Sequence, residues 1–468
     1  MPITRDERDL FRIFSEHIRN DLVSKGVSDR LAGGLLNWFD PAHPEYLRRI
    51  DAWQKCLCAY AVKDYGDLPP VLLNLGVIRK TPYQTYAVDT ADPGMVRQVH
   101  QIAKLFYKFR GTPRKETDFE EARLRYSHPG QLFLEPFERE GMSCNLLRLR
   151  PPSKWEQLIG RFGPGITSDG MTEFGKWCGR GKYPASVPIT LFVSNLDDYA
   201  NLPHVERYRY GITKTAEVPK SLKSNRLISS EPAHGMFAQL AVGNYLVDEL
   251  HRNFPRNISL YDQERHNRLL RMEGACSIDL SDASDHVSRR LVSVLMPHWK
   301  EFLFAVRSQF TQFPDGSICP LRTFAPMGSG VCFPVLTAIS AGILSFACRK
   351  PWHAYGDDWI VHYTDYDYVI DLATRCGLVV NKSKSCCNLI YRESCGCELF
   401  GDADITPLYI RKDPEHLGCC YPRKSLEDFQ GYPSLGQHVG TRWKACKTGF
   451  RPSTLQHNVA AVGDGGDV

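Results

Sequence analysis

The feature that most constrains this chain is a pair of adjacent carboxylates within residues 353–362, which read His-Ala-Tyr-Gly-Asp-Asp-Trp-Ile-Val-His. Aromatic and β-branched residues on both sides predict two short strands, with Gly356-Asp357-Asp358 as the tight turn between them. Such a turn brings both carboxylates into one small volume, where a divalent cation relieves their repulsion. Oxygen ligands favour magnesium or manganese over zinc. Because Asp pairs are also common in solvated turns, the rest of the chain must decide.

Composition narrows the class of protein without identifying it. The 468 residues are 43% hydrophobic and 24% charged, as in a soluble globular protein, and the net charge of +5 permits nucleic-acid binding without requiring it. The length suits about three domains. Sixteen cysteines in a large chain that starts without an apolar signal segment predict reduced thiols in a cytosol. A zinc site is the alternative use of some of them, although no Cys-x-x-Cys pair is present among Cys395, Cys397, His416, Cys419 and Cys420.

The longest apolar run, Val331 to Cys348, could just span a bilayer. Thr337, Ser340, Gly342 and Ser345 interrupt it, and no second run of this kind occurs in the sequence. We therefore expect a buried core helix and no membrane association.

The N-terminal part of the chain predicts helices and one ambiguous segment. Residues 1–75 have the apolar spacing of amphipathic helices, with a break expected at Gly33-Gly34. Basic and aromatic residues alternate from Lys104 to Lys115. This alternation suits either a surface that tracks a nucleic-acid strand or a helix with a core stripe.

A basic block occupies residues 207–232, and four of its cations could converge on a polyanion such as a triphosphate: Lys214, Lys220, Lys223 and Arg226. Considered alone, such a block is more often a basic loop than a ligand site. An apolar helix is expected to follow it, from Met236 to Leu250.

Three further segments place polar or small residues at the ends of predicted elements. A short strand is expected to end at Asp279, and a helix to start near Ser281 or Ser284, both suitable N-caps. The small-residue loop Met327-Gly328-Ser329-Gly330 leads into the apolar helix and would allow close approach of a substrate. Beyond the Asp pair we expect a helix over 366–376 and a hairpin over 391–400.

The order of these segments resembles the motifs of viral RNA-dependent RNA polymerases. Residues 220–232 resemble the basic fingers motif, 279–285 the first palm motif, 327–334 the second and 355–358 the third; 381–385 and 392–396 resemble the fourth and fifth. The sequences of these motifs are most similar to those of replicases of positive-strand RNA bacteriophages, the leviviruses. Narna-like and ourmia-like viral polymerases are next. The resemblance spans about 214–412, under half of the chain.

The resemblance implies an α+β right-hand fold of fingers, palm and thumb, with a small antiparallel palm sheet backed by helices. It suggests an N-terminal helical region over 1–75, fingers over 76–270, palm over 271–400, and a thumb-like region with a flexible tail over 401–468. The implied activity is RNA-directed RNA synthesis on a single-stranded template from nucleoside triphosphates.

The resemblance also implies site roles. Asp279 and Asp357, assisted by Asp358, would bind two Mg²⁺ ions, with Mn²⁺ as an alternative. Lys384 would be the general acid for pyrophosphate departure, with Lys382 as its nearby rival. The residues implied to bind the nucleotide are Lys220, Lys223, Arg226, Asp285, Ser329, Gly328 and Gly330.

One departure from the commoner viral pattern concerns sugar selection. Asp285 would accept a hydrogen bond from the ribose 2′-hydroxyl, but Val331–Ser345 lacks the Asn that usually bridges to the ribose. A polar residue at 285 argues against a reverse transcriptase. An inactive RNA-binding scaffold and a metal-dependent nuclease are further alternatives. Expected partners are template and product RNA, nucleotides and host translation proteins, in the cytoplasm of a bacterial host.

Overall fold

The structure is a computed structural model that describes residues 5–24, 26–58, 71–80, 82, 86–88, 91–109, 115–163, 165–171, 176, 182–192, 206–382, 384–387, 389–407 and 409. The helices of this part of the chain, in chain order, are α1 (Arg5–Ser24), α2 (Asp29–Trp38), α3 (Tyr46–Cys58), α4 (Val71–Asn74), α5 (Pro93–Lys104), α6 (Phe119–Ser127), α7 (Pro136–Leu146), α8 (Ala233–Asn253), α9 (Gln263–Leu269), α10 (Ala283–His286), α11 (Arg289–Leu295), α12 (Lys300–Val306), α13 (Cys332–Ala347) and α14 (Tyr366–Arg375).

The strands are short and scattered along the chain. They are β1 (Arg79–Lys80), β2 (Tyr86–Ala87), β3 (Tyr183–Pro184), β4 (Arg207–Tyr208), β5 (Ile212–Pro219), β6 (Asn225–Ser230), β7 (Ala275–Ile278), β8 (Phe310–Gln312), β9 (Ile318–Pro320), β10 (His353–Tyr355), β11 (Asp358–His362), β12 (Tyr391–Ser394), β13 (Cys397–Phe400) and β14 (Ala403–Asp404). This mixture of helices and mostly antiparallel strands confirms the predicted α+β class. The division into fingers, palm and thumb stays a prediction.

The described residues form two compact units. The first unit comprises the described residues of 1–117, of 219–226 and from 383 onward. Its core is aromatic: the rings of Phe11 and Phe106 meet edge to face with centroids 4.5 Å apart, and Phe109 packs on Phe11 at 5.6 Å. Because Phe106 and Phe109 are buried, the alternating segment that begins at Lys104 contributes a core stripe, as the structural alternative predicted.

A buried polar cluster joins α3 and α5 to the β12–β13 hairpin within the first unit. The Glu398 carboxylate accepts hydrogen bonds from His100 Nε2 at 2.7 Å and from Lys104 Nζ at 3.0 Å, and from the Tyr391 hydroxyl. Trp53 Nε1 donates to His100 Nδ1 at 2.9 Å. Since Nδ1 accepts, the imidazole is neutral and its proton lies on Nε2. We call Trp53, His100, Lys104, Tyr391 and Glu398 the Glu398 cluster.

The second unit comprises the described residues of 118–218 and 227–382. A three-stranded antiparallel sheet has the order β10-β11-β7, and a four-stranded sheet has the order β6-β5-β8-β9 with β5 parallel to β8. Helix α13 is buried along most of its length and packs against α7, α8 and α14. The apolar run is therefore a core helix, as predicted, and no described helix is long and apolar enough to cross a membrane.

Several predicted elements are confirmed, among them α8, α14 and the β12–β13 hairpin. Three local predictions are wrong. Helix α2 runs through Gly33-Gly34 without a break, capped by Ser28 and buried through Leu35. The helix expected near Ser281 or Ser284 is present as a single turn that begins at Ala283, but its N-cap is Asp282, in the left-handed region, so the expectation of a serine cap is wrong. Cys58 and Cys386 form a disulfide with Cα atoms 5.2 Å apart, so the expectation of reduced thiols fails for this pair.

Candidate active site

The Asp357-Asp358 pair lies on a tight antiparallel hairpin, as predicted. Tyr355 pairs with Asp358, which leaves Gly356 and Asp357 as a two-residue turn, with Gly356 at a φ of +63°. Asp358 is therefore the first residue of β11 and not part of the turn. Since successive residues of a strand face opposite sides, Asp358 lies on the face opposite Trp359.

The register of β7 and β11 brings Asp279 to the same end of the sheet. Ile278 pairs with Trp359, so Asp279 and Asp358 occupy the next position of the antiparallel ladder. Asp279, Asp357 and Asp358 are all partly buried. Asn381 donates its side-chain amide to the Asp279 carboxylate at 2.7 Å and its backbone N–H to the Asp279 carbonyl at 2.8 Å. The three predicted carboxylates thus lie at one end of a small sheet, with Asn381 fixing one of them.

Helix α13 supports the hairpin from the buried side. The Ser340 hydroxyl donates to the Gly356 carbonyl at 3.0 Å, and Trp359 Nε1 donates to Ser340 Oγ at 2.9 Å. The Phe333 ring lies so close to Gly356 that a Cβ on this residue would overlap it. Glycine is required here both by the positive φ and by this contact. The apolar helix therefore sets the position of the Asp-bearing turn.

Asp285 lies on α10, 8% exposed. Arg125 of α6 donates from Nε to Asp285 Oδ2 at 3.3 Å, and the Ser284 hydroxyl donates to Oδ1 at 3.2 Å. Burial raises the pKa of Asp285 to about 6, while the Arg125 charge acts in the opposite direction. Arg125 carried no signal in the sequence, because it lies 160 residues before its partner and outside every motif.

The loop with Gly328, Ser329 and Gly330 is fixed by its neighbours. Gly328 has a φ of +112°, and a Cβ there would overlap the Ser229 carbonyl of β6. The Ser329 hydroxyl and the Gly330 N–H both donate to Gln239 Oε1 of α8, each at 3.0 Å. The Ser329 side chain is thus buried against α8, and contacts with β6 and α8 hold the loop in place.

Four of the predicted cations belong to the first unit: Lys220, Lys223, Arg226 and Lys384. Lys220 and Lys223 are exposed and Arg226 is partly buried. Lys223 Nζ lies 3.7 Å from Asp51 Oδ2, a weak exposed ion pair. Lys384 is partly buried. Burial of Tyr107 raises the pKa of its hydroxyl, and the charge of Lys384 acts in the opposite direction. The predicted roles of these four residues in nucleotide chemistry stay predictions.

Metal binding also stays a prediction. Over the described residues, no group of three or more His, Cys, Asp or Glu side chains is arranged to hold a metal ion. Three members of the alternative zinc site, His416, Cys419 and Cys420, lie outside the described residues, as does the predicted C-terminal tail.

Part of the chain is similar in sequence to known proteins. Residues 189–419 match the family model for RNA replicase, beta-chain. The chain is 36% identical over 210 residues to the RNA-directed RNA polymerase subunit beta of Enterobacteria phage SP, covering 42% of this chain and 36% of that protein. It is 34% identical over 210 residues to the corresponding subunit of Qbeta virus (strain MX1), covering 42% of this chain and 35% of that protein.

A solved structure gives a weaker likeness. The RNA-dependent RNA polymerase of a human picorbirnavirus superposes with a TM-score of 0.47 at 14% identity, covering 78% of this chain and 83% of that one. The predicted resemblance to phage replicases is confirmed by the sequence matches, and the matched segment spans little more than a third of the two phage proteins.

Proposed function

We propose that this chain is the catalytic subunit of an RNA-directed RNA polymerase of the phage replicase type. It would copy a single-stranded RNA template from nucleoside triphosphates and release pyrophosphate. The observation that carries this proposal is the match of residues 189–419 to the replicase beta-chain family, because this segment holds every predicted site residue in the expected order.

The carboxylates Asp279 and Asp357, assisted by Asp358, would hold two Mg²⁺ ions, with Mn²⁺ as the alternative. The support is their common position at one end of the β10-β11-β7 sheet and their hard oxygen donors, which suit these ions. Bound there, the ions would activate the primer 3′-hydroxyl and stabilise the leaving pyrophosphate. Asn381 would hold the Asp279 carboxylate in place.

The cations would act on the triphosphate. Lys220, Lys223 and Arg226 would neutralise its charge, since such charge must be balanced where water is partly excluded. Lys384 would donate the proton that pyrophosphate departure needs, with Lys382 as the competing candidate.

Asp285 would recognise the ribose, and the glycine-rich loop would position the nucleotide. A buried carboxylate is a strong acceptor for a ribose 2′-hydroxyl. Gly328, Ser329 and Gly330 would let the nucleotide approach the backbone closely, because little side-chain volume intervenes.

The partners of this activity would be template and product RNA. Host translation proteins, as subunits of a larger replicase in the host cytoplasm, are part of the same proposal. The word "subunit" in the names of the phage proteins is its support.

The test is incorporation of labelled ribonucleotides by the purified chain on single-stranded RNA with Mg²⁺. Asp357→Asn should abolish product, because the substitution replaces one carboxylate oxygen with an NH2 group and removes the negative charge. Asp367→Asn, on an exposed residue of α14, is the matched control and should keep full activity. Product from Asp357→Asn at the wild-type rate would overturn the metal role.

The same assay separates the alternatives. If wild type is silent, adding bacterial extract tests for a missing host subunit, and continued silence with intact RNA binding would favour the inactive scaffold. Ready use of deoxynucleotides would indicate a reverse transcriptase. Metal-dependent loss of template without nucleotides would indicate a nuclease.

A further inference from the structure

Arg125, which lies outside the matched segment 189–419, contacts Asp285, the predicted acceptor for the ribose hydroxyl. Arg125 Nε lies 3.3 Å from Asp285 Oδ2, and Arg125 Nη1 lies 2.9 Å from Glu121 Oε1. The Arg125 side chain is 20% exposed and that of Asp285 is 11% exposed, so the pair is largely shielded from water. The guanidinium is therefore held by two carboxylates, one on its own helix and one on α10.

The helix that carries Arg125 is tied to the backbone around Asp285. The backbone N–H groups of Arg322 and Thr323 donate to the Tyr126 carbonyl at 2.8 and 3.1 Å. The Thr323 hydroxyl in turn donates to the Ser284 carbonyl at 2.9 Å. Thr323 thus links Tyr126, next to Arg125, with Ser284, next to Asp285. These bonds restrict movement of Arg125 away from Asp285.

A buried carboxylate acts as an anionic acceptor only if its charge is balanced. Burial favours the protonated form of Asp285, and Arg125 is the ion-pair partner that the described residues supply. Each carboxylate oxygen has two lone pairs, so the single contacts from Arg125 and Ser284 leave one acceptor position on each oxygen.

We propose that Arg125 is a positioning residue for sugar selection, which holds the Asp285 carboxylate as a fixed acceptor for the ribose 2′-hydroxyl. This inference rests on the proposed polymerase function. Because Val331–Ser345 contains no Asn to bridge to the ribose, discrimination depends more heavily on Asp285 and on the residue that fixes it.

The test measures kcat/KM for a ribonucleotide and for the matching deoxynucleotide in one preparation. Their ratio does not depend on the fraction of active protein. Removing a hydrogen bond to a charged group through Arg125→Gln should lower the ratio about tenfold or more. Arg125→Lys retains the charge without the planar guanidinium and should give an intermediate ratio.

The matched control is Arg123→Gln. Arg123 is two residues away on α6, and it pairs with Glu120 and Asp315 instead of Asp285. The control should keep the wild-type ratio. In an Asp285→Asn background, Arg125→Gln should change the ratio no further, since its effect passes through that carboxylate.

The outcomes are distinguishable. A wild-type ratio in both Arg125 variants, or full additivity with Asp285→Asn, would overturn the inference while leaving the polymerase intact. If Arg125→Gln does not fold, Arg125→Lys supplies the ratio. Failure of wild-type protein to incorporate ribonucleotides, with or without extract, would instead overturn the proposed function.

Discussion

Gly356 is the residue on which the Asp-bearing hairpin depends most directly. Its φ of +63° is unfavourable for any residue with a Cβ, and the Phe333 ring fills the space that a Cβ would need. Gly356→Ala should lower the free energy of unfolding by about 2 to 4 kcal/mol, combining left-handed strain with overpacking. Urea unfolding followed by fluorescence measures the loss.

Gly401→Ala separates the two causes. Gly401 also has a positive φ, +58°, but nothing lies within 4 Å of a Cβ at this position. Its loss should be limited to about 1 to 2 kcal/mol of backbone strain. Equal losses at both positions would show that the Phe333 contact contributes nothing.

Residue-scale prediction from sequence succeeded where the signal was local. The Asp pair, its hairpin and the strand ending beside Asp279 follow from alternation and turn chemistry within a few residues. The prediction that Asp358 belongs to the turn is wrong. Tyr355 pairs with Asp358 directly, so the turn contains only two residues. Arg125 could not be predicted, since its role depends on a partner 160 residues away.

At the scale of elements, the Glu398 cluster joins α3, α5 and the β12–β13 hairpin. Burial favours neutral Glu398, but Lys104, His100 and Tyr391 outweigh it and hold the pKa of this carboxyl well below its usual range. Glu398→Gln would leave Lys104, 8% exposed, without a countercharge. We expect a loss of about 3 to 5 kcal/mol in the free energy of unfolding of the first unit.

Two further variants test this explanation by urea unfolding. Lys104→Met combined with Glu398→Gln should be less destabilised than Glu398→Gln alone, because the unpaired charge is gone. Glu16→Gln, on the exposed face of α1, should change stability by less than about 0.5 kcal/mol. The cluster hypothesis fails if the double variant is no more stable than Glu398→Gln.

Element prediction failed where tertiary contacts override local preference. Two glycines predict a break in α2, but each costs only about 1 kcal/mol in a helix, and the Ser28 cap and the burial of Leu35 compensate. The alternating segment from Lys104 admitted two interpretations, which only the contacts of Phe106 and Phe109 could resolve.

For the whole molecule, buried and partly buried histidines contribute to the response to acid. Burial is the first cause of a lowered pKa at His100, His234, His251, His266, His286, His298 and His353. A lowered histidine pKa means that unfolding takes up protons, so stability falls as pH falls below about 6.5. Glu231 and Asp285, with pKa values raised to about 7 and about 6, act in the opposite direction. Because the histidines outnumber them, we expect net destabilisation between pH 7 and 5.

His266 allows this prediction to be measured at one site. Burial, with a smaller effect of His353, lowers its pKa to about 3. His266→Gln should reduce the difference in unfolding free energy between pH 6.5 and pH 5 by about 2 kcal/mol. His128→Gln, at an exposed position, serves as the control substitution. An unchanged pH dependence in His266→Gln would show that this ring does not contribute.

The construction of the first unit from distant parts of the chain also affects its synthesis. His100 and Lys104 meet Glu398 298 and 294 residues later, so α5 leaves the ribosome long before its partner exists. At about 5 to 20 residues per second, that interval lasts about 15 to 60 s. During this time the apolar faces of these amphipathic helices have no completed β12–β13 hairpin to pack against. The first unit can therefore complete its core only after the last part of the chain has been translated.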